Sequence, residues 1–520
     1  MNTLYFGDCL DILKELHREN STGFIDLIYI DPPFNSKRDY NILFEDAVDI
    51  KDATAQKQAF ADTWSNVSYY DSLSELQDID LNLHTFLTTL DRLNTSKSAV
   101  SYLTTMAIRI LYMHKVLKDT GSFYLHCDST MSHYLKIVCD IIFGEKNFRN
   151  NIVWCYKERE ISKSQWNKKH DDILFYTKSE KNIFNWKEVY ENYSEGSLKK
   201  FNYEDDDGRK FQIRGKGGKY TGEQGLNIGL EKINPELIYR DYLDKSPGVP
   251  PRDWWTIPVI NRAAKERLGY PTQKPESLLE RIIKASSNEG DMVADFFCGC
   301  GTTIAVAERL KRNWLGTDIS HLAIKLVLKR LTDPYLKNPE KAEEIRKRLQ
   351  IKGLPKDIAS AKELAANTKG GRLEFQDWII EVMLGGVVNP KKTADGGWDG
   401  HITFEEVNDK KETVLIEVKS GKVNVKNVRE FIHVIEKQKA KIGVFVCFAE
   451  YVTKEMLKET KSQGNYNKGV WGTRYDKIQI ITIEDILNGK IIQMPVSTKT
   501  TFKKASFNAD HVSEQSAIFE

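Results

Sequence analysis

The sequence predicts an α/β protein in which a large, mostly parallel sheet is followed by a smaller α/β domain. Three observations support this fold class. Residues 1–150 alternate strand-like and helix-like segments, and the alternation returns at 275–335. A separate group of strand and helix patterns then covers residues 372–495. Strands that alternate with helices form parallel sheets with helices on both faces.

The elements of the first domain follow one another closely. Asp8 follows a short strand and precedes a helical pattern over residues 9–17. Residues 24–30 are apolar and β-branched, as expected for a buried strand, and residues 121–126 form another strand pattern. Residues 45–100 are polar and are predicted to be an insertion.

Residues 151–260 interrupt the alternation. Phe, Trp and Tyr account for 13 of the 70 residues in 151–220, and lysines and arginines lie among them. This composition favours contact with phosphates and exposed bases. The alternative is a small irregular domain with an aromatic core.

Overall composition restricts the function only loosely. The 520 residues carry 76 basic and 74 acidic side chains, so a DNA-binding surface would have to be a local patch. No apolar run is long enough to span a bilayer, and we expect no membrane partner. The seven cysteines are scattered, which suits a reducing cytoplasm. No phosphate-loop motif of a motor occurs in the sequence.

The sequence Asp31-Pro32-Pro33-Phe34 follows the apolar strand at 24–30. Open α/β sheets place their chemistry at the carboxyl ends of strands. A carboxylate at Asp31 and the carbonyl of Pro32 could accept the two N–H groups of an exocyclic amine, and Phe34 could stack on an extruded base. The two prolines would fix this backbone. In isolation, however, such a motif is more often an ordinary turn.

A glycine-rich turn follows a second apolar strand at residues 292–294. Gly299 and Gly301 would let the backbone approach a ligand, and Thr302 would open the next helix. Asp318, at the end of the following strand, is placed to accept ribose hydroxyls. A nucleoside cofactor without phosphates fits better than a dinucleotide, because the G-x-G-x-x-G spacing is absent.

With these motifs, residues 1–335 resemble the β-class DNA amino-methyltransferases, in which the catalytic motif precedes the cofactor motif. The resemblance includes Gly7–Leu10, Gly121-Ser122 and the highly specific run from Gly269 to Pro275. It implies a Rossmann-like fold with permuted motif order that uses S-adenosylmethionine. The residues it assigns to the cofactor are Asp8 (adenine), Asp318 (ribose), Thr272 and Lys274 (methionine end), and Asp295, Phe297, Gly299, Gly301 and Thr302 of the turn.

The same resemblance favours N6 of adenine in double-stranded DNA as the target, because Asp31 occupies the first motif position. N4 of cytosine and an RNA substrate stay open as alternatives. Residues 1–150 would form the catalytic half, 151–260 the target-recognition region and 261–335 the cofactor half. Phe296 stands where the family usually has proline, and we expect this difference to be tolerated.

The C-terminal domain carries a second group of polar residues. Asp399 lies in a glycine-flanked bend, and Glu417 and Lys419 lie two apart in the strand that follows. Strand alternation puts Glu417 and Lys419 on one face, where two carboxylates could hold Mg²⁺ and the lysine could offset phosphate charge. A surface salt bridge is the commoner meaning of such a pair.

Residues 372–495 resemble Mrr-like restriction endonucleases of the PD-(D/E)xK class. The resemblance implies a Mg²⁺-dependent nuclease in which Asp399, Glu417 and Lys419 are catalytic and Asp399 and Glu417 bind the metal. A further acid would come from the first helix, with Glu374, Asp377 and Glu381 as candidates. The alternative is a domain that only binds DNA or a partner.

Together, these patterns predict a cytoplasmic restriction–modification protein. A helical linker at 336–371 would join the two domains, and a polar tail would occupy residues 496–520. Homodimerisation and a separate restriction or specificity subunit are left open.

Overall fold

The structure is a computed structural model. It describes residues 2–33, 69–93, 97–156, 163–215, 238–245, 248–261, 263–270, 272–335, 339–355, 357–366, 371–389, 396–405, 411–468 and 473–495. Phe34, to which the sequence assigned base stacking, lies outside the described residues, as do Pro271 and the tail at 496–520.

The described strands are β1 (Thr3–Phe6), β2 (Ile25–Ile30), β3 (Leu117–Cys127), β4 (Phe148–Cys155), β5 (His170–Thr177), β6 (Tyr203–Glu204), β7 (Lys210–Gly215), β8 (Ile238–Tyr242), β9 (Trp254–Trp255), β10 (Met292–Asp295), β11 (Asn313–Asp318), β12 (Gln350–Lys352), β13 (Val387–Val388), β14 (Gly400–Glu405), β15 (Lys411–Val418), β16 (Ile442–Cys447), β17 (Asn465–Lys468), β18 (Thr473–Asp476) and β19 (Ile478–Thr482).

The described α-helices are α1 (Cys9–Glu19), α2 (Tyr69–Ile79), α3 (Leu81–Arg92), α4 (Lys97–Val116), α5 (Ser132–Phe143), α6 (Glu195–Leu198), α7 (Glu276–Ser286), α8 (Thr302–Arg309), α9 (His321–Thr332), α10 (Pro339–Arg348), α11 (Ile358–Ala366), α12 (Gly371–Asp377), α13 (Val425–Lys437), α14 (Lys454–Ser462) and α15 (Ile483–Leu487). A π-helical segment, Trp378–Met383, continues α12.

A nine-stranded sheet, in the order β12-β1-β11-β10-β2-β3-β5-β4-β9, organises the first domain. From β12 to β3 every neighbouring pair is parallel, and β5 is antiparallel to both β3 and β4. All six residues of β2 are buried, as the apolar pattern at 24–30 predicted. The predicted fold class of a mostly parallel α/β sheet is confirmed.

The sheet brings together the catalytic and cofactor motifs, which lie far apart in the sequence. Strand β2, which leads to Asp31, lies directly beside β10, which ends at Asp295, with Val293 opposite Leu27 and Ala294 opposite Ile28. The two motifs therefore follow the carboxyl ends of neighbouring central strands.

Helices cover both faces of the sheet, and capping explains where those near the site begin. The Asp8 carboxylate accepts a hydrogen bond from the Leu10 amide, which caps α1. Ser320 caps α9 in the same way through the Ala323 amide. Helix α4 is buried along nearly its whole length.

One predicted segment boundary falls inside a strand of the sheet, and one predicted linker contributes a strand to it. Residue 150 lies within β4, so the sheet continues into the region that the sequence set apart for target recognition. The region assigned to target recognition also contains a three-stranded sheet of its own, in the order β6-β7-β8. Likewise, the segment predicted to be a helical linker contributes β12, which pairs with β1 through Thr3 and Gln350.

The C-terminal domain is built on a five-stranded sheet in the order β13-β14-β15-β16-β19. Strands β14 and β15 form an antiparallel hairpin, whereas β16 is parallel to both β15 and β19. Helix α13 connects β15 to β16, and its buried side chains Val428, Phe431, Ile432 and Ile435 pack on the sheet. Within the described part of the whole chain, no helix is both long and apolar enough to cross a membrane.

Candidate active site

Four acidic residues stand at one edge of the large sheet. Asp8 and Asp31 follow β1 and β2, and Asp295 and Asp318 end β10 and β11. These strands are neighbours in the order β1-β11-β10-β2. Since adjacent strands lie about 4.8 Å apart, the acids form a row at the carboxyl ends of the strands. This is the edge at which open α/β sheets bind ligands.

The Asp31 carboxylate forms an ion pair with the Lys274 ammonium group. The Asp31 and Lys274 side chains are only 15% and 12% exposed, so water screens the pair weakly. The two residues are 243 positions apart in sequence. The sequence placed both at the site but assigned Lys274 to the cofactor, and the ion pair with Asp31 was not foreseen.

The glycine turn has the shape expected of a ligand cradle. Gly299 and Gly301 have φ angles of 48° and 76°, which side chains rarely adopt. A Cβ at Gly301 would lie 2.7 Å from Cγ2 of Val327, and one at Gly299 would lie 3.3 Å from Tyr270. Both glycines are therefore required by the φ angles of the turn and by its close packing against Val327 and Tyr270. Their contact with a cofactor stays a prediction.

Asp295 supports this turn from beneath. Its carboxylate accepts hydrogen bonds from the Phe297 amide at 3.0 Å and from the Thr303 hydroxyl at 2.6 Å. Burial raises the pKa of Asp295 to about 7, with Asp31 and Asp318 adding repulsion and these hydrogen bonds opposing the shift. Direct contact of Asp295 or Phe297 with a cofactor stays a prediction.

Asp318 links the turn to the next helix. Its two carboxylate oxygens accept hydrogen bonds from the Gly299 and Ser320 amides, each at 2.9 Å. Burial raises the pKa of Asp318 to about 6 against the effect of these hydrogen bonds. Each oxygen retains a second lone pair, so the predicted contact with ribose hydroxyls is compatible with this geometry.

Asp8 has a partner that the sequence did not reveal. A terminal nitrogen of Arg109 donates to both carboxylate oxygens of Asp8, at 2.8 and 2.7 Å. Arg109 lies on α4, 101 positions later in the chain, and its side chain is 7% exposed. The Asp8 side chain keeps 38% of its surface exposed, so contact with the cofactor's adenine stays a prediction.

The loop before α7 is anchored to the cofactor turn. The Thr302 hydroxyl donates to the Lys274 carbonyl at 3.3 Å, and Arg330 donates to Thr302 at 3.3 Å. Gln273 ties the same loop to the Leu268 amide and the Glu266 carbonyl. Thr272 is exposed beside it. Thr302 and Gln273 thus fix the main chain from which the Lys274 side chain extends.

A buried polar network lies behind Asp31. His126 is fully buried, with Nδ1 2.9 Å from the Tyr29 hydroxyl and Nε2 3.1 Å from a carboxylate oxygen of Asp171. The Tyr156 hydroxyl donates to the other oxygen of Asp171 at 3.1 Å. The sequence pointed to the segment around His126 but not to Asp171, which lies on antiparallel β5 and belongs to no motif.

Basic side chains cover aromatic rings in the region assigned to target recognition. Arg209 lies 5.0 Å from the centre of the Tyr242 ring, and Arg240 lies 4.8 Å from that of Phe211. Arg252 lies 4.2 Å from the ring of Trp254, which is 47% exposed. Such surfaces suit contact with a nucleic acid.

In the C-terminal domain, the structure brings together the three residues predicted from sequence. Lys419 Nζ lies 2.6 Å from Glu417 Oε1, and the Asp399 carboxylate accepts the Val418 amide at 2.7 Å. The Glu417 side chain is only 10% exposed, so this is not a surface salt bridge. Gln376 of α12, which the sequence did not single out, donates to the Val418 carbonyl at 3.4 Å.

The fit to a divalent cation rests on two carboxylates. No cluster of three or more His, Cys, Asp or Glu side chains suited to a metal occurs among the described residues. Mg²⁺ is often bound through one or two carboxylates and several waters, so Asp399 and Glu417 suffice in number. Glu374, a candidate for the third acid, is exposed on α12.

Comparison with known proteins identifies the class to which the first site belongs. The model of the DNA methylase family, which covers the N6 and N4 amino-methyltransferases, matches residues 25–329, more than half of the chain. The protein belongs to this family. Its methyl donor is S-adenosylmethionine and its substrate class is DNA, as the sequence predicted.

Three DNA methyltransferases from bacteria are similar to this chain in sequence. The DNA adenine methyltransferase YhdJ of Escherichia coli K12 is 27% identical over 347 residues, covering 66% of this chain and 88% of YhdJ. The type II methyltransferase M.EcaI of Enterobacter cloacae is 31% identical over 264 residues, 44% of this chain and 57% of its own. The Mod subunit of the type III enzyme StyLTI of Salmonella typhimurium is 26% identical, over 58% of this chain and 49% of its own.

One solved structure and a second family model are also similar to parts of the chain. The solved PvuII cytosine-N4 methyltransferase is 14% identical, covers 67% of this chain and 95% of its own, and has a TM-score of 0.37, too low to support an argument. A family model described as NACHT-associated inactive restriction endonuclease 1 matches residues 374–488. The C-terminal domain is thus similar to that family over these residues, whereas its assignment to the Mrr-like group stays a prediction.

Proposed function

We propose that this protein methylates N6 of adenine at a specific sequence in double-stranded DNA, within the cytoplasm. The observation that carries the proposal is the position of Asp31, a carboxylate at the sheet edge beside the cofactor turn. The aspartate at this motif position favours adenine over cytosine. The similarity to an adenine methyltransferase over 88% of that protein's length agrees with this choice.

The chain's own residues would act mainly by positioning. When bound, S-adenosylmethionine supplies a methyl group on a positively charged sulfur. Asp31 would accept one N–H of the adenine amine and the Pro32 carbonyl the other, which directs the nitrogen lone pair out of the base plane. Alignment of this kind supplies much of the rate enhancement in such transfers.

The transfer itself conserves charge and protons. The amine nitrogen gives its lone pair to the new N–C bond, and the pair of the broken C–S bond stays on sulfur. The methylated nitrogen then loses a proton to Asp31, from which it reaches solvent. Asp31 therefore acts first as a hydrogen-bond acceptor and then as a base.

The test is base-resolved mapping of methyl groups on unmodified plasmid incubated with protein and S-adenosylmethionine. The expected result is N6-methyladenine within one short sequence. N4-methylcytosine would overturn the choice of base. Absence of modified DNA, with methylated RNA in a parallel reaction, would overturn the choice of substrate.

For the C-terminal domain, we propose Mg²⁺-dependent cleavage of DNA. The specific observation that favours it is the contact of the largely buried Glu417 with Lys419 beside Asp399, which this chain has although the matched family is described as inactive. Asp399 and Glu417 would hold the ion, which activates water, and Lys419 would offset phosphate charge.

Cleavage is tested on the plasmid whose methylation sites have been mapped, with Mg²⁺ and with excess chelator. Cleavage in Mg²⁺ that the chelator prevents is the expected result. If the protein binds DNA but does not cleave it in either condition, the C-terminal domain is a DNA-binding domain and the proposed nuclease activity is wrong.

A further inference from the structure

A cavity of about 620 Å³ lies at the end of the large sheet opposite to the row of acids, and its volume is in the range of small-molecule sites. Asn288 and Glu289 in its wall lead into β10, and Arg312 directly precedes β11. Asp295 and Asp318 end these same two strands, so the cavity and the proposed active site lie at opposite ends of them. We call it the rear cavity, and it is lined by residues 184–188, 284, 288–289 and 309–312.

Two walls of the rear cavity are fixed to the end of one helix, α7. The side-chain amide of Asn185 donates to the Ser287 carbonyl at 3.0 Å and to the Lys284 carbonyl at 3.2 Å. Arg312, in the other wall, donates to the same Ser287 carbonyl at 2.7 Å. A site whose parts are held in place before binding loses little conformational freedom when a ligand arrives.

The wall that Asn185 holds presents aromatic rings to solvent. Phe184 and Trp186 flank Asn185 in the chain and are 44% and 46% exposed. Nζ of Lys187 lies 5.4 Å from the centre of the Trp186 ring. Exposed rings beside basic groups offer a face on which a planar ligand can stack.

The opposite wall carries a guanidinium group with unused donors. Arg312 donates to the Ser287 hydroxyl at 3.1 Å, to the Ser287 carbonyl at 2.7 Å and to the Leu310 carbonyl at 2.7 Å. These acceptors are neutral, and Arg312 forms no ion pair with a carboxylate in the part of the chain that the structure describes. Since a guanidinium group has five N–H donors, two of them stay available to an anion in the cavity.

Lys311 occupies a backbone position that favours glycine. It follows the end of α8 with a φ of 59°, a conformation in which a side chain is strained. Among the described residues its ammonium group meets only Glu289, at 3.4 Å, and both side chains are mostly exposed. Such a surface contact stabilises the fold little, so it does not account for a lysine at this position. The strained residue therefore points to a role for its charge at the rear cavity.

We propose that the rear cavity binds a nucleotide unit, with the base stacked on Trp186 and the phosphate bound by Arg312 and Lys311. A nucleotide combines a flat ring with an anion, as the two walls require. Five basic and two acidic side chains line the cavity, and only Lys284 and Arg309 among the basic ones are taken up by Glu280, at 2.6 and 3.1 Å. The site is separate from the proposed methyl transfer and does not rest on it.

The nucleotide can be free or part of a single strand, and the experiment distinguishes these sources. Isothermal titration calorimetry uses the full chain, with excess S-adenosylhomocysteine to fill the cofactor site. The probes are guanosine 5′-monophosphate, guanosine, inorganic phosphate and a short single-stranded oligonucleotide. We expect guanosine 5′-monophosphate to bind at least about tenfold more tightly than guanosine or phosphate, because only the monophosphate engages both walls.

Variants of each wall locate the binding. Trp186→Ala should weaken it about tenfold, and Trp186→Phe should restore most of the affinity because its ring still stacks. Lys311→Gly should also weaken binding about tenfold through the lost phosphate contact, although glycine suits the backbone there and the fold should persist. Lys439→Gly is the matched control, because Lys439 follows α13 with a φ of 57° in the other domain, and it should leave binding unchanged.

These losses with guanosine 5′-monophosphate identify a free nucleotide as the ligand, and the same losses with the oligonucleotide alone identify a nucleotide within a strand. If neither probe binds, or if Lys311→Gly binds both as tightly as Lys439→Gly does, the proposal is wrong. Guanosine that binds as tightly as its monophosphate also overturns it. If Trp186→Ala does not fold, the comparison of the two lysine variants decides alone.

Discussion

Each domain contains a partly buried lysine–carboxylate pair, and the two pairs form by different routes. Asp31 and Lys274 are 243 positions apart and meet because Thr302, at the start of α8, holds the loop that carries Lys274 near the carboxyl end of β2. Glu417 and Lys419 lie two positions apart at the carboxyl end of β15, and the alternation of side chains alone puts them together.

This difference determines how much each pair says about function. A short acid-x-Lys pattern occurs by chance on many strands, so its meaning depends on burial and on Asp399 beside it. A long-range pair at the carboxyl edge of a parallel sheet requires the whole fold. The Asp31–Lys274 pair is therefore stronger evidence for a catalytic site than the Glu417–Lys419 pair is.

The largest expected effect belongs to Asp31→Ala. Methyl transfer should fall by about 10³-fold or more, because alignment of the amine is lost. The fold should persist, since Asp31 lies at the sheet edge rather than in the core. Methyl incorporation and thermal unfolding measure the two outcomes, with the exposed Asp11→Ala as control. If Asp31→Ala still transfers methyl groups to DNA, Asp31 does not take part in the reaction.

Lys419→Ala tests the pair that forms within one strand. DNA cleavage should fall by about 10²-fold or more, because an electrostatic contact to the reacting phosphate is lost, while methyl transfer stays unchanged. Lys441→Ala is the matched control, since Lys441 faces Glu412 at 3.9 Å in the same domain. Parallel loss of both activities in Lys419→Ala would contradict separate sites.

The acids of the first site should also make stability depend on pH. The folded pKa of Asp295 is about 7, above its unfolded value near 4, so folding takes up a proton between these values. The free energy of unfolding should therefore fall as pH rises from about 4 to 7, by an amount on the order of a few kcal/mol. Denaturant titrations across this range should show a flatter profile for Asp295→Asn. An unchanged profile would exclude Asp295 as the cause.

Gly301→Ala should have the smallest effect of this series. The positive φ and the approach to Val327 should cost about 1–3 kcal/mol of stability and weaken cofactor binding. Gly196→Ala is the control, because no atom lies within 4 Å of its added Cβ. Calorimetry measures the unfolding free energy and the cofactor affinity. Equal values in the two variants would show that Gly301 is not tightly packed against Val327.

Much of this architecture could be predicted because its signals are local. The apolar run at 24–30 and the glycine turn each depend on a few consecutive residues. Arg109, Asp171 and Gln376 could not be predicted, because each reaches its site across the fold from an element without a motif. The edge strand β12 was hidden for a related reason, since its three residues lie within a helix-prone, charged segment.

The pairing of β12 with β1 also bears on how the two domains could be separated. The chain that leads to the C-terminal domain first closes the outer side of the methyltransferase sheet, and Gly353 then turns against the Phe6 carbonyl. A fragment that stopped at residue 335 would leave the polar backbone groups of β1 open to pairing with other molecules and would tend to aggregate. A fragment that extends through Gly353 would keep this protection, so the boundary for independent expression lies beyond the last methylase motif.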